Sequence, residues 1–483
     1  MAIPPFHPPP ADSDAFKRPP LSLLRTPANS MDAAAAAAGI FPIALVACNR
    51  PRLLERTLAS LLALPGIERS TVTVYQDGEN VDVANVAKSF MGVKLVQRPA
   101  GPVGPGAERI AAHYRFTLTQ VFERNPSAAY AIIVEDDMIF SPDFLAFFAH
   151  TYRLYAMDPS VYCISSWNDN GKRGLVKDAN RLLRTEFFAG LGWLASRTIY
   201  KGEFEQKWPS THWDHWMRDQ AQRKSRVCVY PEISRNYNIG VRGTHSDDGL
   251  FKRYFALAHY NTLPTSAIRL TPVEALVKDS YNAAVGALIH GALQVSSMGQ
   301  LGRAPTGRAV VMYYRAHSSA DAVWENVLAP LFGLWHSIPH IRGNLNGVQR
   351  FWWKDRYVLL VATYSPYAEQ YMKKDAALFS GEPEENTEVP AGIVVLKAAI
   401  DQSCHDACRL HPSKLQCSHV HLRELNSCVI MRRLLGCTRC ETQGGQDQPV
   451  ITKDGVCLKN RGNDFTCSAH HPVTHRLCAC TSP

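Results

Sequence analysis

The sequence predicts an α/β fold built on a mostly parallel sheet, and three observations predict it. Compact β-type runs alternate with helical segments through the first third of the chain, which implies right-handed crossovers. The stretch Ala129 to Phe140 is an apolar, β-branched run that meets three carboxylates, Glu135-Asp136-Asp137. That is the pattern of a buried parallel strand whose carboxyl end opens onto a cleft. Finally, 483 residues with 46% hydrophobic and 20% charged side chains suit two to three packed domains rather than a disordered chain.

Taken in order, residues 1–40 read as disordered, being Pro-rich and polar to Ser30, with an Ala run from Ala33 to Ala38 too short for a spanning helix. Ile43 to Cys48 is a strand, and apolar residues at Leu53, Leu54, Leu58, Leu61 and Leu62 give the helix that follows one buried face. Thr71 to Gln76 is a second strand ending at the turn Asp77-Gly78, Val81 to Phe90 a helix, and Val93 to Gln97 a third strand. A Pro/Gly loop from Pro99 to Gly106 leads into a helix over 107–123 that carries His113 and delivers the chain to the acidic strand. An amphipathic helix over 143–155 and a strand over 161–165 follow. Residues 270–397 form a smaller α+β module: helix over 272–293, strand over 309–314, helix over 322–334, and a hairpin of 348–353 with 357–362 around Lys354-Asp355. Its aromatics Phe351, Trp352 and Trp353 either meet a glycan or pack the module.

No glycine-rich G-x-G-x-x-G or P-loop fingerprint follows the first strand, which argues against a dinucleotide oxidoreductase or a P-loop NTPase. The net charge of +9 lacks a Lys/Arg run, so a nucleic-acid arm is poorly supported. Three adjacent carboxylates form either a solvated turn or a seat for a hard divalent cation shared with substrate phosphates. Aromatic and polar residues alternate in Trp167-Asn-Asp-Asn-Gly171, Phe187 to Trp193 and Trp208 to Arg218, which suits sugar rings or packing under long loops. Asp214, between Trp213 and Trp216, is expected to be desolvated, with a raised pKa that strengthens it as a general base; an ion pair with Arg218 is the alternative. His212 and His215 lack a further ligand for zinc.

Ten of the 13 cysteines lie beyond residue 400, leaving Cys48, Cys163 and Cys228. A dense, even set in a short tail, residues 398–483, favours a disulfide framework in a secretory lumen over zinc, despite the ligand-like spacing Cys437-Thr-Arg-Cys440. No N-glycosylation acceptor is present, since Asn125-Pro126-Ser127 has an excluded middle residue.

The acidic strand, Trp167 to Gly171, Ala189-Gly-Leu-Gly-Trp193, Lys207-Trp-Pro, Trp213-Asp-x-Trp-Met-Arg218 and Pro231-Glu-Ile-Ser-Arg235, in that order, resemble glycosyltransferase family 13. Its members include N-acetylglucosaminyltransferase I and the protein O-mannose β-1,2-N-acetylglucosaminyltransferase. A weaker likeness continues through Arg342-Gly-Asn344, Gly347, Arg350-Phe351 and Ser365-Pro-Tyr367. The resemblance implies a GT-A catalytic domain over 41–269, anchored to the membrane in the Golgi lumen. It further implies manganese-dependent, inverting transfer of GlcNAc from UDP-GlcNAc to a mannose hydroxyl of an N-glycan or O-mannosyl glycoprotein, in β-1,2 linkage. Carried over by position, Asp137 would bind Mn2+, and Glu135 and Asp136 would contact the donor sugar and ribose. Arg50, Asp77 and His113 would surround the uridine, Trp213 would contact the GlcNAc, and Asp214 would be the catalytic base. Cys163 and Cys228 match a family disulfide. Where the family pairs the position of Cys48 with a cysteine after the aspartate matched by Asp77, this chain has Gly78, so Cys48 is expected to be a free, buried thiol. The loop Gly240 to Phe251, which in the family closes over the donor phosphates, carries extra residues around Ser246-Asp247-Asp248. The tail resembles the C-terminal cysteine region of N-acetylglucosaminyltransferase V through Leu425-Asn-Ser-Cys428 and Arg476-Leu-Cys-Ala-Cys480. The competing reading is a carbohydrate-binding protein that keeps the fold without turnover; retention of Asp137 and Asp214 favours the enzyme.

Overall fold

The computed structural model describes residues 41–99, 106–241, 254–379, 388–461 and 465–482. The disorder expected over 1–40, the Ala run and the Ser246-Asp247-Asp248 insertion lie outside them. The chain divides into two compact units, residues 1–381 and 382–483.

The first unit is organised by an eight-stranded sheet: β1 (Ile43–Ala47), β2 (Val72–Asp77), β3 (Lys94–Arg98), β4 (Tyr130–Glu135), β6 (Val161–Ser165), β7 (Leu182–Thr185), β8 (Trp193–Ser196) and β9 (Val227–Pro231), in the order β3-β2-β1-β4-β8-β6-β9-β7. The half β3-β2-β1-β4 is wholly parallel, as the sequence alternation requires. Helices α1 (Pro51–Leu62), α2 (Val81–Ser89) and α3 (Ala107–Arg124) make its crossovers. Alternate residues serve opposite faces: Ile43, Leu45, Ile132 and Val134 pack with Leu54 and Leu58 of α1, while Ala44, Ala131 and Ile133 pack with Ala111, Leu118 and Phe122 of α3. Burial on both faces explains why these strands read as unbroken apolar runs.

Three expectations change here. The acidic run is two strands, because the chain turns at Asp136-Asp137 before β5 (Met138–Phe140), which pairs antiparallel with β10 (Asn236–Asn238). The helix expected over 143–155 is broken into α4 (Phe144–Thr151) and α5 (Leu154–Met157). The aromatic stretch ending at Trp193 is not all loop, since Trp193 starts β8, which runs antiparallel to both β4 and β6.

A second sheet in the same unit comprises β11 (Leu293–Gln294), β12 (Ala309–Tyr314), β13 (Val348–Trp353) and β14 (Arg356–Ala362), ordered β11-β12-β14-β13. The expected hairpin is present, with Lys354 and Asp355 at φ 42° and 65°, the left-handed pair a two-residue turn requires. Its aromatics pack rather than meet solvent: Phe351 and Trp352 are buried, and Trp352 Nε1 donates to Glu232 Oε1 at 3.0 Å.

In residues 382–483 all ten cysteines pair, as 404–478, 408–480, 417–467, 428–440 and 437–457, so Cys437 and Cys440 go to different partners and hold no zinc. The unit's sheet begins at Val394–Ile400, ahead of the boundary at 398 read from sequence. Among the described residues no helix is long and apolar enough to cross a membrane.

Candidate active site

Parallel register brings the functional side chains to one edge. Val46 of β1 lies opposite Tyr75 of β2 and Glu135 of β4, so Arg50 beyond β1, Asp77 at the last position of β2 and the carboxylates after β4 share the carboxyl end of the sheet. Thr57 of α1 braces the turn after β4, its hydroxyl donating to the Asp136 carbonyl at 2.8 Å and accepting from the Met138 N–H at 3.1 Å. The guanidinium of Arg50 forks onto Asp136 Oδ1 and, at 2.8 Å, onto Asp137 Oδ2. Burial pushes the Asp136 carboxyl up to about 6 against the pull of Arg50. Burial, then the adjacent Asp137 charge, raises Glu135 to about 7, although Tyr114 donates its hydroxyl to Glu135 Oε1.

Asp77 is clamped from two elements. Arg98 of β3 donates to its Oδ1 at 2.9 and 2.5 Å, and Arg109, in the first turn of α3, donates to its Oδ2 at 2.5 Å. His113 is buried; its Nε2 lies 2.9 Å from the Tyr75 carbonyl oxygen and therefore donates, leaving Nδ1 as an acceptor with no partner among the described residues. Burial pushes this imidazole down to about 4, so the ring is neutral at physiological pH. Cys48 stands between the two clusters, within the fields of Arg109, Asp77, Asp136 and Arg50. It is a free thiol, as expected, but half-buried rather than buried.

Trp213 opens the short helix α6 (Trp213–Arg218) and stacks on Tyr114 with centroids 4.0 Å apart. Its indole also packs against Phe188, Trp193 and Trp208. Tyr114 is the hub: burial, then the charges of Glu135, Asp137 and Asp214, push its hydroxyl well above the usual phenol value. Its contacts thus link the end of β4, through Glu135, to α6, through Trp213. Asp214 differs from expectation. Burial acts to raise its pKa, but Arg218 Nη1 at 2.9 Å and His215 win, and the carboxyl lies below its usual range. Burial is the largest single influence, but Arg218, His215 and backbone hydrogen bonds together outweigh it, the carboxylate remaining about a third exposed (34%). The ion pair along the helix and the base-like position therefore coexist. Cys163 and Cys228, register partners on β6 and β9, form the expected disulfide.

Several residues escaped the sequence reading. Tyr114, Arg98 and Arg109 carry no motif; Phe187, of the Phe187 to Trp193 stretch, lies against the guanidinium groups of Arg218 and Arg342 at 4.4 and 4.6 Å. Asn170 of the Trp167 to Gly171 motif is a connector, donating to the Arg342 carbonyl at 3.0 Å and accepting from the Trp335 N–H at 2.8 Å.

Among the described residues no cluster of three or more His, Cys, Asp or Glu side chains is arranged to cage a metal. Magnesium and manganese are commonly held by one or two carboxylates, with phosphates and water completing the octahedron. Asp137, seated against the Cα of Gly240 where a Cβ would come within 2.1 Å of Oδ2, fits that mode.

The chain is 35% identical over 219 residues to an alpha-1,3-mannosyl-glycoprotein 2-beta-N-acetylglucosaminyltransferase of Arabidopsis thaliana; the match takes in 43% of this chain and 49% of the relative, about half its length. Remote likenesses in structure include a glucosyl-3-phosphoglycerate synthase from Mycobacterium tuberculosis (17% identity, 36% of this chain, 63% of that one, TM-score 0.24) and a 4-diphosphocytidyl-2C-methyl-D-erythritol synthase (15%, 33%, 76%, 0.18), too distant to carry an argument. The motif order from the acidic strand to Arg235 agrees with a family match across residues 23–371, most of the chain: it belongs to the GNT-I family.

Proposed function

We propose that this chain transfers GlcNAc from UDP-GlcNAc to a mannose hydroxyl of a glycoprotein glycan, in β-1,2 linkage and with inversion. The observation that carries the reading is that Tyr114 donates its hydroxyl to Glu135, at the acidic turn, and stacks on Trp213, the neighbour of Asp214, so the candidate metal seat and the candidate base are tied to one side chain. Inversion needs one displacement: the acceptor oxygen bonds to the donor's anomeric carbon as the bond to the diphosphate breaks, and no enzyme nucleophile is required. Asp214 takes the proton from that hydroxyl, and its lowered pKa keeps it ionised and ready at neutral pH. Arg218 orients the carboxylate, and Trp213 and Tyr114 shape the donor-sugar side of the cleft. Asp137 would hold Mn2+, whose charge stabilises the departing diphosphate when bound. Glu135 and Asp136 face the donor sugar and ribose, with Arg50, Asp77 and His113 on the uridine side.

Six disulfides place the folded chain in an oxidising compartment. The Golgi lumen, with membrane association, is the setting this reading assigns. The test is UDP release and product linkage with Mn2+, UDP-GlcNAc and two acceptors side by side, a mannose-terminated N-glycan and an O-mannosyl peptide. Transfer to either one, abolished by chelation, supports the reading. Binding of UDP-GlcNAc without transfer to any mannoside would support a non-catalytic carbohydrate-binding protein instead.

A further inference from the structure

The two-stranded ribbon of β5 and β10 has no part in either large sheet, yet it is held by one of the most deeply buried charge pairs in the molecule. Arg235, fully buried at the foot of β10, donates through Nε to Asp143 Oδ2 at 2.7 Å, and the Asn261 amide donates to Asp143 Oδ1 at 2.7 Å. Backbone hydrogen bonds extend the clamp to either end, from Ser141 N to the Arg235 carbonyl at 2.9 Å and from Ile239 N to the Asp137 carbonyl at 2.7 Å. What this framework holds in place is the amide of Asn238. Its Oδ1 accepts the Gly240 N–H at 2.8 Å, which fixes the orientation of the group, so the NH2 side faces Asp137 and donates to Oδ1 at 3.2 Å. Beyond it Gly240 closes on the other oxygen, with a Cβ position only 2.1 Å from Asp137 Oδ2.

We propose that Asn238 and Gly240 are positioning residues for the Asp137 carboxylate: the amide sets its rotation and the missing Cβ gives it room, so that one oxygen lone pair is presented to the cation at a fixed angle. This rests on the reading of Asp137 as the manganese ligand. A hard cation with near-octahedral demands is sensitive to such placement, and partners that orient a ligand are each worth roughly tenfold to a hundredfold in metal affinity. Asn238 takes no direct part in chemistry, and the hydrogen bond it makes leaves the carboxylate able to bind.

The experiment measures Mn2+ affinity by the electron paramagnetic resonance signal of free Mn2+, on the full chain with saturating UDP. It compares wild type with Asn238→Ala, Gly240→Ala and Asp137→Asn. Binding of uridine, which has no phosphates for a cation to bridge, serves as the check that the site is folded. The expected result is a tenfold to hundredfold loss of Mn2+ affinity in both positioning variants with uridine affinity retained, and a larger loss in Asp137→Asn. Should Asn238→Ala unfold the ribbon, Gly240→Ala perturbs the same carboxylate from the opposite side and decides alone. Mn2+ affinity within twofold of wild type in both variants, with Asp137→Asn defective, overturns the positioning role and leaves the metal assignment standing. Unchanged affinity in Asp137→Asn as well removes the reading on which it rests.

Discussion

Replacing Asp214 with asparagine tests the chemistry most directly, because the structure separates its catalytic cost from its structural cost. The amide keeps the shape, and its oxygen can still accept from Arg218, now 2.9 Å from Asp214 Oδ2. What is lost is the charge. With Asp214 about a third exposed (34%), the ion pair is screened, and its removal costs on the order of 1 kcal/mol or less of stability. General-base catalysis is worth about 10²–10⁴ in rate, roughly 3–5 kcal/mol of barrier. Unfolding cannot mimic that loss, since a hundredfold drop in folded protein would require removing all of a stability of about 5–15 kcal/mol and about 3 kcal/mol more. Asp214→Asn should therefore lower kcat for GlcNAc transfer by about 10²–10⁴ while KM for UDP-GlcNAc and the urea midpoint barely change. A kcat within threefold of wild type, with the fold intact, would refute Asp214 as the base. Wild type carries a further signature: because Arg218 holds the carboxyl below its usual range, activity should persist into mild acid and fall only as pH drops through that depressed value.

His113 gives a stability prediction with a definite sign. Its folded pKa of about 4 lies below the unfolded value of about 6.5, so the folded state requires the neutral ring. Stability should be complete above about pH 6.5 and fall by about 3 kcal/mol as pH drops to 4, a portion missing from the pH-dependent urea curve of His113→Gln. Removing the Cys163 to Cys228 bridge as a double alanine variant opens a loop of 65 residues, which the chain-entropy model values at about 4 kcal/mol. In a unit of this size that is a fall in Tm of roughly 5–7 °C, and scanning calorimetry showing no shift would contradict it. Gly192→Ala should cost about 2–4 kcal/mol in urea unfolding, because φ is 72° and a Cβ would stand 2.5 Å from Ser166 Oγ and 2.6 Å from Asn236 Nδ2.

The parallel half of the sheet was legible because each strand is buried on both faces and each crossover helix has one apolar stripe, so period and composition agree. The turn within the acidic run was not, since Met138-Ile139-Phe140 continues the same apolar composition while pairing with a strand nearly a hundred residues away. Trp193 misled for a related reason: aromatic-rich segments around glycine read as loop, and only pairing with Ile133 and Ser165 makes Trp193 part of a strand. At the site, the residue types were readable and their electrostatics were not. Flanking indoles announced desolvation of Asp214, but Trp213 turned inward onto Tyr114, and the i,i+4 arginine, His215 and backbone hydrogen bonds together decided the sign. The positions of Tyr114, Arg98 and Arg109 depend on which helix face meets which strand end, information held in tertiary packing alone.

Counting lone pairs narrows how a nucleotide can use Asp77. A carboxylate offers about four acceptor sites, two on each oxygen. Arg98 fills both on Oδ1 with its Nε and Nη2, whereas Arg109 takes one on Oδ2. A uracil imide N–H approaching this residue therefore has a single site left, on Oδ2, at the side of the more exposed arginine: Arg109 is 44% exposed and Arg98 13%. His113 adds a second acceptor in the same neighbourhood, because its Nε2–H is committed to Tyr75 and its Nδ1 has no partner among the described residues. On the proposed uridine assignment, one of these acceptors takes the single imide N–H of uracil, and Arg109 is the cation available to a flanking carbonyl. A base with a ring lone pair in place of that N–H would set acceptor against acceptor, so on this assignment the clamped Asp77 disfavours it while holding the strand end.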